Sequence, residues 1–531
     1  MKHAISANRC THSAQNAPIR RQNASISAQF WRNAGVLTAC SLTMSVAGMG
    51  LRVYQTSIIG AEGMGLLQLL LSVYYFATNL AVSGCNLAAT RLLSERAAPV
   101  RCIMRKCLAL CVGCGTAAGA GLYGAAPLLG EKLLGDARTV PSLRVLAVGL
   151  PLLAISCCCR GYFLAVRRTV CPSLGQVVEQ MTVWLGTAAV LPLCARRGLT
   201  ASCCAIAAAM TAGELAGNLW IVFFTRKSIR TRPPYRDESA RHDAVSTRQI
   251  LHIAAPVALG YDLRSALIAV ENVLVPAGLK QCGRSYAESL ASYGVVKGMA
   301  LPTVQFPAAF LTAFSLLLIP EVAQSRAAGR PDEIRAMAQR VFRLCLAFST
   351  FVTGGFLVFG NELGQILYRS ADAGRAMRIL CPLAPLMYLD SIVDAMLKGL
   401  DEQVYSLKVN LSDSCIRIVL MIVLLPRFGI GGYLAALTCS IVYNSLLSIT
   451  RLVRQSGLRV RFWDWLVCPA LCAAVACLSG RAVGRLLPWT GTLQIVAEWG
   501  FSAILCAFAN LLYRSACDSE NAKKSTLLTQ N

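Results

Sequence analysis

The chain has 531 residues, of which 55% are hydrophobic and only 15% are charged. A soluble protein carries about 25% charged residues, so this composition excludes an ordinary soluble domain. Apolar runs of about 18 or more residues recur along the whole length and predict a polytopic membrane protein. The runs are continuous rather than alternating, which predicts α-helices and not a barrel.

The net charge of +25 would favour a nucleic-acid partner in a soluble protein. No basic patch interleaved with stacking aromatic residues occurs here, and the positive-inside rule explains the excess better. We therefore expect the lipid bilayer, and not nucleic acid, as the environment of the basic residues. The 24 cysteines lie mostly inside apolar runs, where cysteine acts as a small hydrophobe, so no disulfide framework or zinc site is expected.

Residues 1–32 are polar and basic and are predicted to form a cytoplasmic tail without a cleaved signal peptide. About fourteen membrane spans then follow. Their approximate limits are 33–59, 64–90, 104–126, 143–165, 170–194, 200–224, 250–277, 291–319, 338–360, 378–398, 405–425, 431–452, 463–484 and 492–513.

The distribution of Lys and Arg predicts that both termini are cytoplasmic. The most basic loop, Arg226 to Arg248, separates six spans from eight and is expected inside. The predicted organisation is a tail (1–32), an N-lobe of spans 1 to 6 (33–225), a basic inter-lobe loop (226–249), a C-lobe of spans 7 to 12 (250–455), two further spans (456–514) and a C-terminal cytoplasmic tail (515–531).

A weak internal similarity relates the two lobes. The segment from Gly63 and the segment from Tyr293 each open near a glycine, run apolar and close at an acidic residue followed by basic ones. Span 2 would thus correspond to span 8, as in transporters built from repeats with a binding site between them. The predicted fold is an all-α integral membrane protein with two pseudo-symmetric six-helix lobes plus two C-terminal helices.

Span 8 is unusual because it contains several prolines. Residues 299–319 carry no charge, yet Pro302, Pro307 and Pro320 each remove a backbone donor and are expected to bend or end the helix. Such breaks are tolerated in a membrane where protein or a wet cavity satisfies the freed carbonyl groups. Span 8 is therefore either the lining of a cavity or a bent structural helix.

Charged residues inside spans are costly and should face a common interior. Basic candidates for a cavity that binds an anionic substrate are Arg52, Arg160, Arg264 and Lys297. Arginine suits phosphate because its planar fork donates two parallel hydrogen bonds. The alternative is that these charges form salt bridges between helices, such as Asp413 with Arg417 or Asp262 with Lys297. Arg160 and Arg417 could also lie near an interface and extend their charged ends towards water.

No catalytic motif supports an enzyme. The sequence has no phosphate-binding GxxxxGK[ST] loop, no nucleophile elbow and no HExxH pair, and its four histidines lie in or beside cytoplasmic segments. We expect neither an enzymatic activity nor a bound cofactor or metal.

Three stretches resemble the stage V sporulation protein B group of polysaccharide biosynthesis transporters, within the multidrug/oligosaccharidyl-lipid/polysaccharide (MOP) exporter superfamily that includes the lipid II flippase. They begin at Ile58, Tyr293 and Leu380 and read IIGAEGMGLLQLLLSVY, YGVVKGMALPTVQFPAAFLTAFSLLLIPEVAQS and LCPLAPLMYLDSIVDAMLKGLDEQ. The resemblance extends from about residue 33 to about residue 513.

This resemblance implies alternating access in the membrane of a bacterial cell. The implied cargo is an undecaprenyl-pyrophosphate-linked saccharide, with the peptidoglycan precursor lipid II as leading candidate, and cell-wall synthases are candidate partners. Arg52 lies near the position of a cavity arginine on helix 1 of lipid II flippases. Some flippases bind sodium through a helix 7 carboxylate and an Asn/Asp pair on helix 11. Glu271, Asn410 and Asp413 are the matching candidates here, for Na⁺ or for H⁺.

Two other functions stay open on the sequence. A drug/cation antiporter of the same superfamily would need an acidic, aromatic-lined cavity, which the interior arginines disfavour. A membrane scaffold for cell-wall synthesis would need no transport at all.

Overall fold

The computed structural model describes residues 2–509 except 83, 96–98, 167, 169, 232–246, 284, 459, 485–493 and 496. Regular secondary structure in the described residues is entirely helical. Ten of the described helical runs are long and apolar enough to cross a membrane. The predicted all-α membrane fold is therefore confirmed, and the count of about fourteen spans stays a prediction. Most of the inter-lobe loop, part of the last span and the C-terminal tail lie outside the described residues.

The helices follow the predicted spans closely. In chain order they are α1 (Lys2–Val82), α2 (Cys85–Ser94), α3 (Val100–Pro127), α4 (Val140–Ala165), α5 (Val170–Ala195), α6 (Leu199–Arg230), α7 (Thr247–Gln281), α8 (Tyr286–Tyr293), α9 (Leu301–Gln305), α10 (Ala308–Ala327), α11 (Pro331–Tyr368), α12 (Ala371–Leu380), α13 (Ala384–Gly399), α14 (Gln403–Phe428), α15 (Ile430–Ser456) and α16 (Cys468–Gly484). A short apolar helix, Ala497–Ala509, follows.

Helix α1 contains the first two predicted spans and is broken between them. Gly60 has φ 67° and ψ −170°, a conformation that only glycine adopts without strain, and it divides α1 into a first arm (2–59) and a second arm (61–82). Gly84, with φ 65°, then separates the second arm from α2. The sequence limits 33–59 and 64–90 thus place the boundary between the two spans where the backbone turns.

The helices pack as two groups with an appendage. In the N-terminal group α4 packs against α3 and α6, and α6 also packs against α5. In the C-terminal group α14 packs against α7 and α15, while α13 packs against α10, α11 and α15. Helix α16 lies against α11. The predicted division of the chain into lobes, loop and tails stays a prediction.

The second arm of α1 is the main bridge between the two groups. It crosses the start of span 8 so closely that a Cβ on Gly65 would collide with the carbonyl oxygen of Leu290, and a Cβ on Gly294 with that of Ala61. Small residues allow membrane helices to approach in this way. Further along the same arm, Asn79 Nδ2 donates a hydrogen bond of 2.9 Å to Ser265 Oγ on α7.

Span 8 is an interrupted helix. A capping box at Ser285 begins α8, a π-helical segment covers Gly294–Ala300, and a turn before α10 includes Pro307. The predicted break at Pro307 is present. Helix α10 continues through Pro320, so this proline does not end the helix. Pro320 is exposed, and the residues after it keep the helical backbone.

Candidate functional site

Arg52 joins the first arm of α1 to span 8. Its Nη1 donates a hydrogen bond of 3.2 Å to the carbonyl oxygen of Gly298. That carbonyl lies in the π-helical segment, whose widened turns are frequent at functional sites. The rings of Tyr75 and Tyr368 lie within electrostatic reach of the guanidinium. No carboxylate of the described residues forms an ion pair with Arg52.

Lys297 precedes Gly298 in the same segment. Glu271 on α7 and Arg417 on α14 lie within electrostatic reach of it, and within the described part of the chain it forms no ion pair. The expected alternative pairing with Asp262 is not observed. Lys297 therefore adds a second cation next to Gly298 in the sequence, with Glu271 within electrostatic reach but in no ion pair with it.

Arg264 lies on α7 with an exposed side chain. Asp390 on α13 lies within electrostatic reach, but no ion pair joins Arg264 to any residue the structure describes. Asp390 instead accepts a hydrogen bond of 3.2 Å from Asn444 Nδ2. Its neighbour on the same helix face, Asp394, is bound by Lys398 at 2.6 Å.

Arg160 belongs to a different environment. Its Nη2 lies 3.0 Å from Glu179 Oε2, which joins α4 to α5 inside the N-terminal group. The structure thus brings Arg52 and Lys297 to one inter-lobe contact, places Arg264 on the neighbouring helix α7, and pairs Arg160 elsewhere. Of the four predicted substrate-binding residues, Arg160 has its charge already matched.

Glu271 and Asp413, two of the predicted cation ligands, meet at Arg417. Arg417 Nη1 lies 3.2 Å from Glu271 Oε2, and Arg417 Nη2 lies 2.5 Å from Asp413 Oδ2. Its Nε donates to Ser440 Oγ at 2.7 Å, and Ser440 Oγ in turn donates to Asp413 Oδ1. Both carboxylates are buried, with Glu271 only 1% and Asp413 4% exposed. This arrangement is the salt bridge that the sequence left as an alternative.

Asn410, the third predicted cation ligand, is engaged within its own helix. Its Nδ2 donates to the carbonyl oxygen of Ser406 at 2.8 Å. Ser406 Oγ donates 2.5 Å to Asp394 Oδ1, so this part of α14 is linked to α13. The three candidates are thus divided between an Arg417-centred cluster and a neighbouring polar chain.

Glu214 and Glu179 are interior carboxylates that our sequence analysis did not select. Glu214 lies on α6, is 8% exposed and accepts a hydrogen bond from the Tyr74 hydroxyl on the second arm of α1. The signal was available: each is a lone acidic residue within an otherwise apolar predicted span. Intramembrane acids are functional candidates by default.

The comparison with known families places the N-terminal part of the chain. Residues 30–274 match the model of a family described as polysaccharide biosynthesis protein. The resemblance drawn from the sequence is confirmed. Stage V sporulation protein B of Bacillus subtilis (strain 168) is 24% identical over 467 residues, covering 85% of this chain and 88% of the relative. A membrane protein named YabM from the same organism is 23% identical, covering 91% and 92%.

Solved structures share the fold. The lipid II flippase MurJ in an inward closed conformation superposes with a TM-score of 0.66 at 12% identity, covering 91% of this chain and 99% of that one. An inward-facing multidrug resistance MATE family transporter of the MOP superfamily gives a TM-score of 0.57 at 14% identity, covering 80% and 96%. The chain is therefore a multi-pass membrane protein that shares its fold with the flippase and MATE transporter structures.

Proposed function

We propose that this protein is a flippase that moves a lipid-linked oligosaccharide across the bacterial cytoplasmic membrane, with a lipid II-like, undecaprenyl-pyrophosphate-linked cell-wall precursor as cargo. The observation that carries the proposal is the set of three cations within or at the edges of spans, Arg52, Arg264 and Lys297, that have no ion-pair partner among the described residues. An uncompensated intramembrane charge is costly, so it is retained where a ligand of opposite charge supplies the partner.

The chemistry of a pyrophosphate fits these cations. Its oxygens accept the parallel hydrogen bonds of a guanidinium, and a lysine ammonium adds a point charge. The polyprenyl chain of such a substrate can stay in the bilayer, because only the polar headgroup needs shielding from lipid. Apolar outer surfaces would contact the polyprenyl chain in the bilayer, and the interior cations would bind the headgroup.

The Arg52 contact suggests how the headgroup would be released. Arg52 belongs to the N-terminal group and Gly298 to the C-terminal group, so rocking of the two lobes would separate the guanidinium from this carbonyl. In one state the backbone carbonyl satisfies Arg52, and in the other the substrate phosphate does. Alternating access would then exchange one acceptor for another instead of leaving the charge unsatisfied.

A cation gradient is a further part of the proposal. Na⁺ or H⁺ binding at Glu271, Asn410 and Asp413 would require Arg417 to withdraw, because its guanidinium already lies against both carboxylates. In the state described here Arg417 acts as their counter-ion. Any Na⁺ coupling at this place is therefore expected to involve movement of α14 or a new rotamer of Arg417.

The rival functions make different demands. A cationic drug would be repelled by Arg52, Arg264 and Lys297, which disfavours the drug antiporter. A scaffold for cell-wall synthases would not depend on these interior cations at all. The dependence of function on the unpaired cations thus separates the flippase from the scaffold.

Binding of purified protein to lipid II, compared with undecaprenyl phosphate, tests the proposal. Replacing Arg52 and Arg264 together by alanine should weaken lipid II binding roughly tenfold or more, since a hydrogen bond to a charged group contributes about 1.5–3 kcal/mol. Higher salt should weaken wild-type binding as well. The matched control is Arg91→Ala, because Arg91 is exposed and forms an i,i+4 pair with Glu95.

Equal weak binding of both lipids, unchanged in the double variant, would overturn the assignment of a lipid II-like cargo. A loss of binding in the Arg91→Ala control would point to non-specific surface electrostatics. Drug resistance conferred by the chain, with no lipid binding, would favour the antiporter.

A further inference from the structure

Glu214 is a buried carboxyl group that the proposed transport steps do not use. Its Oε1 accepts the hydrogen bond from Tyr74, whereas its Oε2 is buried and has no hydrogen-bond partner among the residues that the structure describes. The group is only 8% exposed. A carboxylate spreads its charge over both oxygens, so leaving one oxygen unsatisfied is costly for the ionised form and much less so for the neutral acid.

The surroundings of Glu214 supply no free counter-charge. The charged and titratable groups that face it are Tyr74 and Tyr75 from α1, Arg160 from α4 and Glu179 from α5. Arg160 is bound to Glu179 at 3.0 Å, so the cation that acts on Glu214 is already paired with another acid. Glu179 itself adds a like charge.

The packing of α4 against the carboxyl is tight. A Cβ on Gly149 of α4 would collide with Glu214 Oε2, so only glycine leaves room for the group at this place. On this side the backbone of α4 therefore lies against Oε2.

Tyr74 connects this carboxyl to the contact between the lobes. It lies on the second arm of α1, between Gly65, which packs on Leu290, and Asn79, which donates to Ser265. Movement of that arm relative to α6 would remove the Tyr74 hydroxyl from Glu214 and admit water. One hydrogen bond thus links the protonation state of Glu214 to the position of the second arm of α1.

We propose that Glu214 is a proton-binding site of the N-terminal lobe, holding a proton while Tyr74 is docked and releasing it to water when the second arm of α1 moves away. The carboxyl O–H bond breaks, the proton passes to a water molecule, and the resulting carboxylate is solvated by the water that replaces Tyr74. The site rests on the geometry alone, and its role in driving a cycle rests on the proposed transport function.

Infrared difference spectroscopy of the full-length protein in detergent tests the site. Wild-type protein at neutral pH should show the C=O stretching band of a protonated carboxylic acid, and Glu214→Gln should lose it. Glu362→Gln is the matched control, because Glu362 is an acid ion-paired with Arg481 at 2.6 Å and is not among the groups that act on Glu214, and it should keep the band. Absence of this band from the difference between wild type and Glu214→Gln would overturn the proposal.

Tyr74→Phe provides an independent variant that keeps the acid. It removes the hydrogen bond to Oε1, so the C=O band should shift to higher frequency instead of disappearing. An unshifted band would mean that the protonated acid is another residue, and would also count against Glu214.

Hydrogen–deuterium exchange tests the link to movement. Raising the pH should increase deuterium uptake in residues 61–82 of wild type beyond that of Glu214→Gln at the same pH, because only the wild type gains a charge there. Equal uptake in the two proteins would reject the coupling. These measurements use no lipid-linked substrate, so the proton site can fail while the flippase proposal stands, and the reverse.

Discussion

At the scale of single residues, the interior charges divide into paired and unpaired groups. We assign the paired charges to stability and the unpaired charges to substrate binding. Arg417 contacts two buried carboxylates and a serine, which makes it part of the packing between α7, α14 and α15. Among the described residues, Arg52 donates a hydrogen bond to a backbone carbonyl and forms no ion pair. A paired buried charge is needed for stability once its partners are present, whereas an unpaired one is available to a ligand.

Arg417→Gln is expected to destabilise the protein strongly. Removing one member of a buried ionic cluster costs roughly 3–5 kcal/mol, because the remaining charges stay buried and uncompensated. Thermal unfolding in detergent would measure the loss. Arg160→Gln is the control, since Arg160 and Glu179 are 35% and 31% exposed and such a pair contributes only about 0–1 kcal/mol.

The same variant tests the cation ligands. If Arg417 replaces a bound cation, Na⁺ should stabilise Arg417→Gln relative to choline but leave the wild type unchanged. Na⁺ stabilisation of the wild type would show instead that the ion and the arginine coexist. An Arg417→Gln protein as stable as the wild type would refute the structural role.

At the scale of helices, hydropathy located the spans well, and their irregularities less well. Runs of apolar residues gave limits within a few residues of α3, α4 and α5. Gly60 and Pro307 interrupt the chain, but Pro320 does not. A proline removes one backbone hydrogen bond. Whether the helix continues depends on which groups pack beside it, and the sequence does not show these groups.

The candidate site shows the same limit. The i,i+4 spacing of Asp413 and Arg417 predicted their contact on one helix face, and the structure has it. The sequence did not predict that Glu271 would join this pair or that Asn410 would stay outside it. These contacts depend on the rotation of α7 against α14. Glu214, by contrast, could be selected from the sequence, because a lone acid in an apolar span is itself a functional signal.

The crossing of the second arm of α1 with span 8 should be sensitive to a single methyl group. Gly65→Ala and Gly294→Ala place a Cβ against the backbone carbonyl oxygens of Leu290 and Ala61. The two helices would have to move apart to relieve these collisions. We expect each to lower the stability by about 1–3 kcal/mol, as overpacking does. Thermal unfolding in detergent would measure this.

Gly121→Ala is the matched control for this crossing. Gly121 lies within α3, and nothing is within reach of a Cβ there. Alanine should be neutral or stabilising by about 0.5–1 kcal/mol at such a helical site. If all three substitutions behave alike, the crossing does not constrain the lobes.

At the scale of the whole molecule, the two helical groups meet along the second arm of α1, which contacts Leu290 near one end and Ser265 further along. A hydrogen bond of 3.1 Å from Tyr286 Oη to the carbonyl oxygen of Leu134 joins the groups beside the glycine crossing. The end of the molecule that carries Gly65, Tyr286 and Leu134 is therefore held together. The side of the membrane that this end faces determines whether the protein is closed on its outer or its cytoplasmic side in this structure.

The positive-inside rule predicts that the glycine crossing faces outward. The inter-lobe loop is rich in Arg and should be cytoplasmic, whereas the turn at Gly283 lies one span later and should be external. Green fluorescent protein fused after residue 240 should fluoresce, and alkaline phosphatase fused after residue 283 should be active, because each reporter works on one side only. The opposite pattern would invert the topology. The joined end would then close the cytoplasmic side. Uptake of a headgroup from the cytoplasm would then require a different state from the one in which Arg52 donates to the carbonyl oxygen of Gly298.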